Sequence, residues 1–491
     1  MSCSTAANLF MWNELSAGMR GNVGMSRRRA LQVSGAGFGS LALNALLGGE
    51  AVGVDAASPL LARVGHLAPR ARSVIFLFMY GGPSHIDLFD PKPELERWHG
   101  KAIPVWKPED GFMGRKTQNV AMRGYYEYRK HGRAGIEMAE VYPNLARHAD
   151  DLCVIRSMHA ESNNHGPALF QMNSGFIQAG RPSMGSWAAY GLGSESEDLP
   201  AFVVLLDHQG APVNGALNWS NGFMPAAYQG VPFRPTGEPI AYLSPAKGVD
   251  EARQRARLDL LKRWNGAYAE ANPLESALSA RVASYELAFR MQRSAAECTD
   301  LRGESEVVRR AYGLEEPVTR HFGRNCLLAR RLVERGVRFV QVYSGGNEGP
   351  KAWDAHDDLR KNHDLHCAET DGPIAALLSD LKARGLFDST LVVWGGEFGR
   401  SPVAENGKGR DHHPKGFTVW MAGGGIKGGV VHGATDEFGY SAVTDRVAVP
   451  DLHATILHQL GLDHERLTYR HSGRDYRLTD VSGRVVRGIL A

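Results

Sequence analysis

Short apolar segments recur along the chain, separated by longer stretches in which apolar residues have helical spacing. The apolar segments span residues 73–80, 152–155, 202–206, 337–344, 390–394 and 417–422. Runs of this kind, rich in β-branched residues and without polar alternation, are typical of strands buried on both faces of a parallel sheet. Strands that alternate with helices predict an α/β fold: a mainly parallel central sheet with helices on both faces.

Three intervening segments receive specific predictions. Residues 138–150 are expected to form a helix, and residues 395–416 a polar loop. Residues 249–336 have the spacing of amphipathic helices and are predicted to be a helical insertion. The insertion would interrupt a single domain that covers residues 58–491.

Glycine clusters follow four of the predicted strands. They are Gly81-Gly82, Gly345-Gly346, Gly395-Gly396 and the triple glycine at 423–425. Three of these corners lead into aspartate, glutamate or histidine residues. Because ligands of open α/β sheets bind beyond the carboxyl ends of the strands, we expect these residues to converge on one site.

The residues after the corners suit a metal ion. Asp354 and His356 are two positions apart, and Asp411 precedes His412, so each pair offers an oxygen and an imidazole ligand. The full set of candidate metal ligands is Asp87, Asp90, Asp354, His356, Glu397, Asp411 and His412. A set rich in oxygen and nitrogen, without thiolate, suits Ca²⁺, Mg²⁺ or Mn²⁺, and its histidines also suit Zn²⁺. The sequence therefore predicts a divalent metal of unspecified identity.

Composition and charge exclude some classes of partner. Hydrophobic residues make up 43% of the chain and charged residues 22%, which is ordinary for a soluble globular protein. The formal net charge of +3 gives no basis for nucleic acid or an anionic membrane as a partner. The five cysteines contain no CxxC pair, so no zinc ribbon is predicted.

The first 57 residues have the features of an export leader. The segment SRRRALQ at 26–32 resembles a twin-arginine signal and departs from its pattern only at Ala30 and Gln32. The apolar run at 33–49 is too short and too rich in glycine for a stable membrane span. We expect the twin-arginine translocase as a transient partner and a periplasmic or secreted location. The cleavage site and the choice between Met1 and Met25 as the start stay open.

Ordered motifs over most of the chain resemble the bacterial family called domain of unknown function 1501. They include GGPSHIDLFDPKP at 81–93, NHGPALFQMNSG at 164–175, WDAH at 353–356, GGEFGRSP at 395–402 and GRDHHP at 409–414. That family resembles the alkaline phosphatase and sulfatase superfamily, whose members are metal-dependent hydrolases of phosphate or sulfate esters. The resemblance implies Asp87, or else Asp90, as the ligand after the first strand, and His412 or His413 as a later ligand. It also places Phe398 where the superfamily has a ligand histidine.

The nucleophile departs from the sulfatase pattern. The chain lacks the Cys-x-Pro-x-Arg motif that sulfatases convert to formylglycine. In register, the nucleophile falls near Asn163, beside the hydroxyl of Ser162. Ser162 could attack if a metal lowers its pKa, or it could only cap the following helix. His165 could bind the metal or act as a general acid or base.

Three functions stay open at this point. The first is an exported metal-dependent hydrolase of an anionic ester, a small molecule or a saccharide, with Arg400 or Arg410 holding the anion. In that case either Ser162 or a water molecule activated by the metal attacks. The second is a non-catalytic relative that binds metal or glycan. The third is a mutase or isomerase on the same scaffold, since fold alone does not decide function.

Overall fold

The computed structural model describes residues 60–107, 119–234, 240, 249–271 and 276–491. The predicted leader at 1–57 and its export motif lie outside these residues, so the leader remains a prediction. Within the described ranges, no helix combines the length and the apolar character needed to cross a bilayer.

Strands and helices alternate through the described chain. The strands are β1 Ser73–Met79, β2 Tyr128–His131, β3 Ile136–Ala139, β4 Leu152–His159, β5 Phe202–Leu205, β6 Val231–Phe233, β7 Phe339–Ser344, β8 Thr390–Gly395, β9 Gly399–Glu405, β10 Gly409–His413, β11 Phe417–Ala422, β12 Val430–His432, β13 Ala434–Thr435, β14 Ala442–Thr444, β15 Val447–Ala448, β16 Tyr469–His471 and β17 Arg474–Tyr476. The α-helices are α1 His85–Leu88, α2 Pro93–Trp98, α3 His165–Ser174, α4 Met184–Leu192, α5 Glu251–Ala271, α6 Ser276–Thr299, α7 Glu306–Ala311, α8 Arg320–Glu334, α9 Leu359–Ala383 and α10 Val449–Gln459.

The described residues form a nine-stranded central sheet. Its order is β12-β4-β11-β8-β1-β7-β5-β6, and β15 also pairs with β4. β1 is parallel to β7 and β8, and β5 is parallel to β6 and β7. β11 alone on this path runs antiparallel to its neighbours, β4 and β8. The predicted mainly parallel sheet is confirmed.

Both faces of the sheet are buried under helices. Along β1, Ile75 and Leu77 pack into one apolar cluster, whereas Phe76 and Phe78 pack into the other. Helices α6, α8 and α9 cover the first face, and α3, α4 and α10 cover the second. Burying each large apolar side chain contributes about 1.5–3 kcal/mol. Because both faces of the strands are buried, the strands show no alternation of polar and apolar residues.

Two predictions of local structure are wrong. Residues 138–150 were expected to be helical, but they contain the end of β3 and a 3₁₀ helix at Leu145–Asp151. Pro143 accounts for the difference, because proline disfavours helical geometry in the residue before it. Residues 395–416 were expected to be a loop, but they contain the antiparallel hairpin of β9 and β10.

The predicted insertion at 249–336 contains helices α5 to α8. The last of these, α8, packs its apolar face on the central sheet through residues such as Cys326, Leu327 and Leu332. Its contacts belong to the main core. The boundaries proposed for the insertion and for the 58–491 domain remain predictions.

Candidate metal centre

Segments that are far apart in the chain meet beyond the carboxyl ends of β1, β4, β7 and β8. Glu397 follows β8, Asp354 follows β7, and His165 is the first residue of α3, after β4. His412 lies in β10 and pairs with Arg400 of β9. Parallel strands end at the same edge of a sheet, so this topology gathers the side chains in one place.

The glycine corner after β1 lets two of these segments approach. Gly81 has a φ of +111°, and a Cβ atom there would lie 2.6 Å from the backbone nitrogen of Asp354. Its own N–H donates to the two carboxylate oxygens of Glu397, at 3.0 and 3.2 Å. Any side chain at this position would push the Asp354 loop away, so glycine is required here.

A β-bulge orients the histidine of the hairpin. The register of β9 and β10 shifts between Arg410 and His412, where three residues of β9, 401–403, lie opposite the single residue Asp411. Bulges bend a strand and change the direction of its side chains. The bulge thus helps to set the direction in which His412 points.

Three side chains form what we call the central cluster: His165, Asp354 and His412. One ligand atom from each lies within 4.8 Å of the others. The Asp354 Oδ1 atom is 3.0 Å from His412 Nε2 and 3.4 Å from His165 Nε2. Ligand atoms of a tetrahedral zinc ion with bonds of about 2.0–2.1 Å are roughly 3.4 Å apart. The spacing therefore fits a small divalent cation.

The other ring nitrogen of each histidine is held by an acceptor. His165 Nδ1 donates to Glu397 Oε1 at 2.6 Å, and His412 Nδ1 donates to the backbone carbonyl of Asn163 at 2.9 Å. His165 Nε2 is buried and, among the described residues, has no hydrogen-bond partner. Carboxylate and carbonyl partners of this kind orient histidines that bind metals.

The charge states of His412 and Asp354 suit a cation, whereas burial lowers the pKa of His165 but the carboxylates of Asp354 and Glu397 raise it overall. Burial lowers the pKa of His412 well below its usual value, although its hydrogen bond with Asp354 opposes the shift. Neutral His412 with its proton on Nδ1 therefore presents a lone pair at Nε2, 3.0 Å from a carboxylate oxygen. Burial raises the pKa of Asp354, but Arg400 and three histidines lower it further, so Asp354 is ionised. Two acceptors this close are stabilised by a cation between them.

His356 lies on the more exposed side of the cluster. Its Nε2 atom is 2.9 Å from both Asp354 Oδ1 and His412 Nε2. Its Nδ1 atom donates to Glu405 Oε2 at 2.5 Å. Burial lowers the pKa of His356, but the bonds with Asp354 and Glu405 raise it overall to about 9. Its side chain is 26% exposed, compared with 2% for His412.

Arg400 is enclosed by protein oxygens. Its Nε donates to the Gly82 carbonyl at 2.8 Å and its Nη1 to the Arg410 carbonyl at 3.0 Å. Its Nη2 bonds the Gly81 carbonyl and, at 2.8 Å, the carboxylate of Asp354. Because each guanidinium nitrogen already donates to the protein, Arg400 holds Asp354 in position.

Arg410 and Asp87 form a second enclosed ion pair. Arg410 Nε donates to Asp87 Oδ2 at 2.8 Å, and both side chains are fully buried. Asp87 also accepts hydrogen bonds from Ser84 Oγ at 2.5 Å and from the Tyr125 N–H at 2.9 Å. Burial raises the pKa of Asp87, but Arg410 and these donors lower it overall. The pair lies outside the central cluster and is engaged in structural contacts.

The remaining predicted residues occupy several environments. Asp90 accepts from Thr435 Oγ1 at 2.5 Å and pairs with Lys92 at 2.9 Å, away from the cluster. Glu397 lies behind His165. Asp411 lies within 4.8 Å of ligand atoms of His356 and Glu405.

Ser162 is engaged in the turn before α3. Its Oγ atom accepts a hydrogen bond from the Asn164 N–H at 3.1 Å, and Asn164 caps the helix by accepting from the Gly166 N–H. The next residue in the chain, Asn163, contacts His412 through its carbonyl. Ser162 is thus adjacent in sequence to the cluster, and its hydroxyl takes part in the turn.

Two contributors were not anticipated from the sequence. Glu405 orients His356, and the Asn163 backbone orients His412. An available signal for Glu405 was the Asn406-Gly407 pair, which favours a hairpin and would place Glu405 at the end of its first strand. A backbone carbonyl has no signature in a single sequence.

One known protein family matches most of the chain. The model of the family described as Protein of unknown function (DUF1501) matches residues 71–490. The chain belongs to this family. The matched region includes every residue of the central cluster, together with His356 and Glu405, so the predicted family is confirmed.

Solved structures give more distant matches to this DUF1501 member. The lipoteichoic acid synthase LtaP from Listeria monocytogenes is 9% identical with a TM-score of 0.34, and the match covers 82% of this chain and 76% of that one. The PsFucS1 sulfatase from Pseudoalteromonas sp. is 12% identical with a TM-score of 0.34, covering 81% and 69%. A protein in the alkaline phosphatase superfamily from Vibrio parahaemolyticus is 10% identical with a TM-score of 0.31, covering 82% and 70%. No curated protein matches the chain. At these scores, the solved structures assign no activity to it.

Proposed function

We propose that this chain is an exported metal-dependent hydrolase of phosphate or sulfate esters. The observation that carries the proposal is the convergence of His165, Asp354 and His412 on one point. Three protein ligands with a fourth position open are typical of catalytic zinc sites, whereas four protein ligands are typical of structural ones. Two imidazoles and one carboxylate favour Zn²⁺ over Ca²⁺ or Mg²⁺, which prefer oxygen ligands.

The protein supplies a rigid frame for these ligands. Glu397 fixes the ring of His165, and Arg400 fixes the carboxylate of Asp354. Bound here, a divalent metal would supply a Lewis acid for the ester and a lowered pKa for an attacking water molecule. Because the ligands are already held in position, little rearrangement is needed during the reaction.

His356 is the proton donor in this proposal. It is the most exposed of the histidines in this group, and Glu405 holds its ring through Nδ1. Its Nε2 atom faces the central cluster, where the oxygen of a leaving group would develop negative charge. A positioned acid of this kind contributes about 10²–10⁴-fold to a rate.

The group that binds the anionic ester and the group that attacks it follow from which side chains are already engaged in contacts with the protein. Arg400 and Arg410 donate to protein oxygens, so the charge of the metal site holds the anionic ester. A water molecule is the first candidate nucleophile, and Ser162 is the second because its hydroxyl is engaged in a turn. The ester class rests on the resemblance of the motifs to the superfamily, and export rests on the leader motif at 26–32.

A non-catalytic metal-binding protein is the second candidate. One observation favours it: His356 Nε2 contacts both Asp354 and His412 at 2.9 Å. If His356 binds the metal as a fourth ligand, the site is closed in the manner of structural zinc sites.

Metal content and turnover of the same preparations separate the two candidates. The substrates are aryl phosphates and aryl sulfates, and the variants are His165→Ala, His356→Gln and Ser162→Ala. We expect His165→Ala to lose one metal ion per chain and all turnover, since Nε2 of His165 makes no hydrogen bond in the described structure and is free to bind the metal. His356→Gln should keep its metal and lose about 10²-fold or more in kcat.

The outcomes point to different roles. Loss of metal in His356→Gln would indicate a closed site and the non-catalytic candidate. Absence of turnover on every ester by metal-loaded wild-type protein would reject the hydrolase. Inactivity of metal-loaded Ser162→Ala would make Ser162 the nucleophile. His99→Gln, at an exposed histidine outside the cluster, serves as the matched control.

A further inference from the structure

A second group of metal-ligating side chains lies apart from the central cluster. Asp207, His208 and Glu369, which we call the second cluster, each offer a ligand atom within 4.8 Å of the others. None of them was singled out by the sequence. Asp207 follows β5, whereas Glu369 lies within α9, more than a hundred residues away in the chain.

Two of these residues are buried carboxylates. Asp207 is 4% exposed and Glu369 is 5% exposed. Among the described residues, neither makes an ion pair with lysine or arginine; their charged neighbours are histidines. Bringing two carboxylates together away from water is unfavourable unless a cation compensates them.

Asp207 is held in position by backbone donors. Its Oδ2 atom accepts from the Gly345 N–H at 2.9 Å, and its Oδ1 atom accepts from the Gln209 N–H at 2.8 Å. The first of these bonds ties it to the glycine corner after β7. His208 Nδ1 is 3.2 Å from the same Oδ1 atom.

Glu369 is held from the other side by a histidine. Its Oε2 atom is 3.2 Å from His366 Nδ1, while His366 Nε2 donates to the Ala352 carbonyl at 2.9 Å. Only one oxygen of Glu369 is used in this bond, which leaves the other for a ligand.

A third element contributes a further imidazole. The ring of His321, in α8, stacks on that of His208 with centroids 4.1 Å apart and planes inclined by 7°. The second cluster thus joins the end of β5 to α9, with α8 packed against it.

We propose that Asp207, His208 and Glu369 bind a second divalent cation, of the kind that accepts mixed imidazole and carboxylate ligands, such as Zn²⁺. Its role is structural, because it would tie α9 to the edge of the sheet at β5. The central cluster and the second cluster share no ligand, so each can be emptied alone.

Zinc binding by the intact protein tests this proposal. Zinc per chain is measured by elemental analysis after dialysis, for wild-type protein and for His165→Ala, His208→Ala/Glu369→Gln and the two combined. We expect two zinc ions in the wild type, one in either variant and none in the combination. Zinc should raise the Tm of His165→Ala and have no such effect on the combined variant.

Two controls keep the result interpretable. His99→Ala/Glu315→Gln changes the same residue types at exposed positions and should keep two zinc ions. Circular dichroism without metal identifies any variant that fails to fold, in which case His208→Asn replaces His208→Ala. Folded His165→Ala without zinc, or two zinc ions in folded His208→Ala/Glu369→Gln, would overturn the second site. Neither result bears on turnover at the central cluster, so the two proposals fail separately.

Discussion

At the scale of single residues, buried aspartates have two different roles: one can bind a cation, and another pairs with a buried arginine. Asp354 is about a tenth exposed and faces two imidazole nitrogens, so it can bind a cation. Asp87 follows the first strand as a ligand of this kind would, but its oxygens are used by Arg410, Ser84 and Tyr125. The difference lies in the neighbours, which are distant in sequence, and not in the carboxylates themselves.

Asp87→Asn tests the structural role of that carboxylate. The substitution leaves the guanidinium of Arg410 buried without its counter-ion, which costs about 3–5 kcal/mol. We expect the free energy of unfolding in urea to fall by that amount, with metal content unchanged in the folded protein. A folded variant of undiminished stability that had lost a metal ion would instead make Asp87 a ligand.

Asp300→Asn is the matched control for this loss. Asp300 pairs with Arg302 at 2.8 Å on the surface, where the arginine side chain is 90% exposed. Exposed pairs of this kind contribute little to stability because water screens them, so we expect almost no change. The two substitutions remove the same charge and differ in burial.

At the scale of elements, the β9–β10 hairpin decides the geometry of the site. It carries Arg400 on one strand and His412 on the other, in register. Its turn contains Asn406 and Gly407, whose φ values of +50° and +81° lie in the left-handed region that asparagine and glycine tolerate best. The direction of His412 therefore depends on a turn at the far end of the hairpin and on the bulge in β9 opposite Asp411.

Gly407→Ala tests this dependence. A Cβ atom at Gly407 meets nothing within 4 Å, so the cost is the positive φ alone, about 1 kcal/mol. Strain in the turn would shift the hairpin, and we expect zinc affinity at the central cluster to fall several-fold in calorimetric titrations.

Gly473→Ala provides the comparison. Gly473 has a φ of +83°, lies in the turn between β16 and β17, and also has open space at its Cβ position. It should lose similar stability in urea and keep its zinc affinity. Equal loss of affinity in both variants would show that the hairpin has no special part in binding.

At the scale of the whole molecule, the central sheet could be predicted from the sequence. The way in which the candidate site is assembled could be predicted only in part. Strands such as β1 can be recognised in the sequence because burial on both faces requires an unbroken apolar run. Glycine corners located the edge at which Asp354 and Glu397 meet. The pairing of Arg400 with backbone carbonyls has no sequence signature, since carbonyls belong to every residue. The hairpin was missed because its strands are polar, although Asn406-Gly407 signalled its turn.

Buried histidines make the whole fold sensitive to acid. Burial lowers the pKa of His453 to about 4, although its hydrogen bond to the Met172 carbonyl opposes the shift. Its Nδ1 atom has no hydrogen-bond partner among the described residues, so protonation there would create a buried N–H without an acceptor. Burial likewise lowers the pKa of His363 to about 3.

These shifts fix the direction of the pH dependence. Near pH 5 an unfolded histidine, with a pKa of 6.5, binds a proton that folded His453 does not, so acid favours unfolding. Stability from this residue is complete above about pH 6.5 and is lost as the pH falls towards 4. A shift of about 2.5 pKa units corresponds to about 3 kcal/mol. His453→Gln keeps a donor for the Met172 carbonyl and does not titrate.

Urea unfolding between pH 7.5 and 4.5 should therefore show a shallower loss of stability for His453→Gln than for the wild type. The control variant, His471→Gln at an exposed position, should follow the wild type. Parallel curves for all three proteins would mean that His453 is not neutral in the folded state.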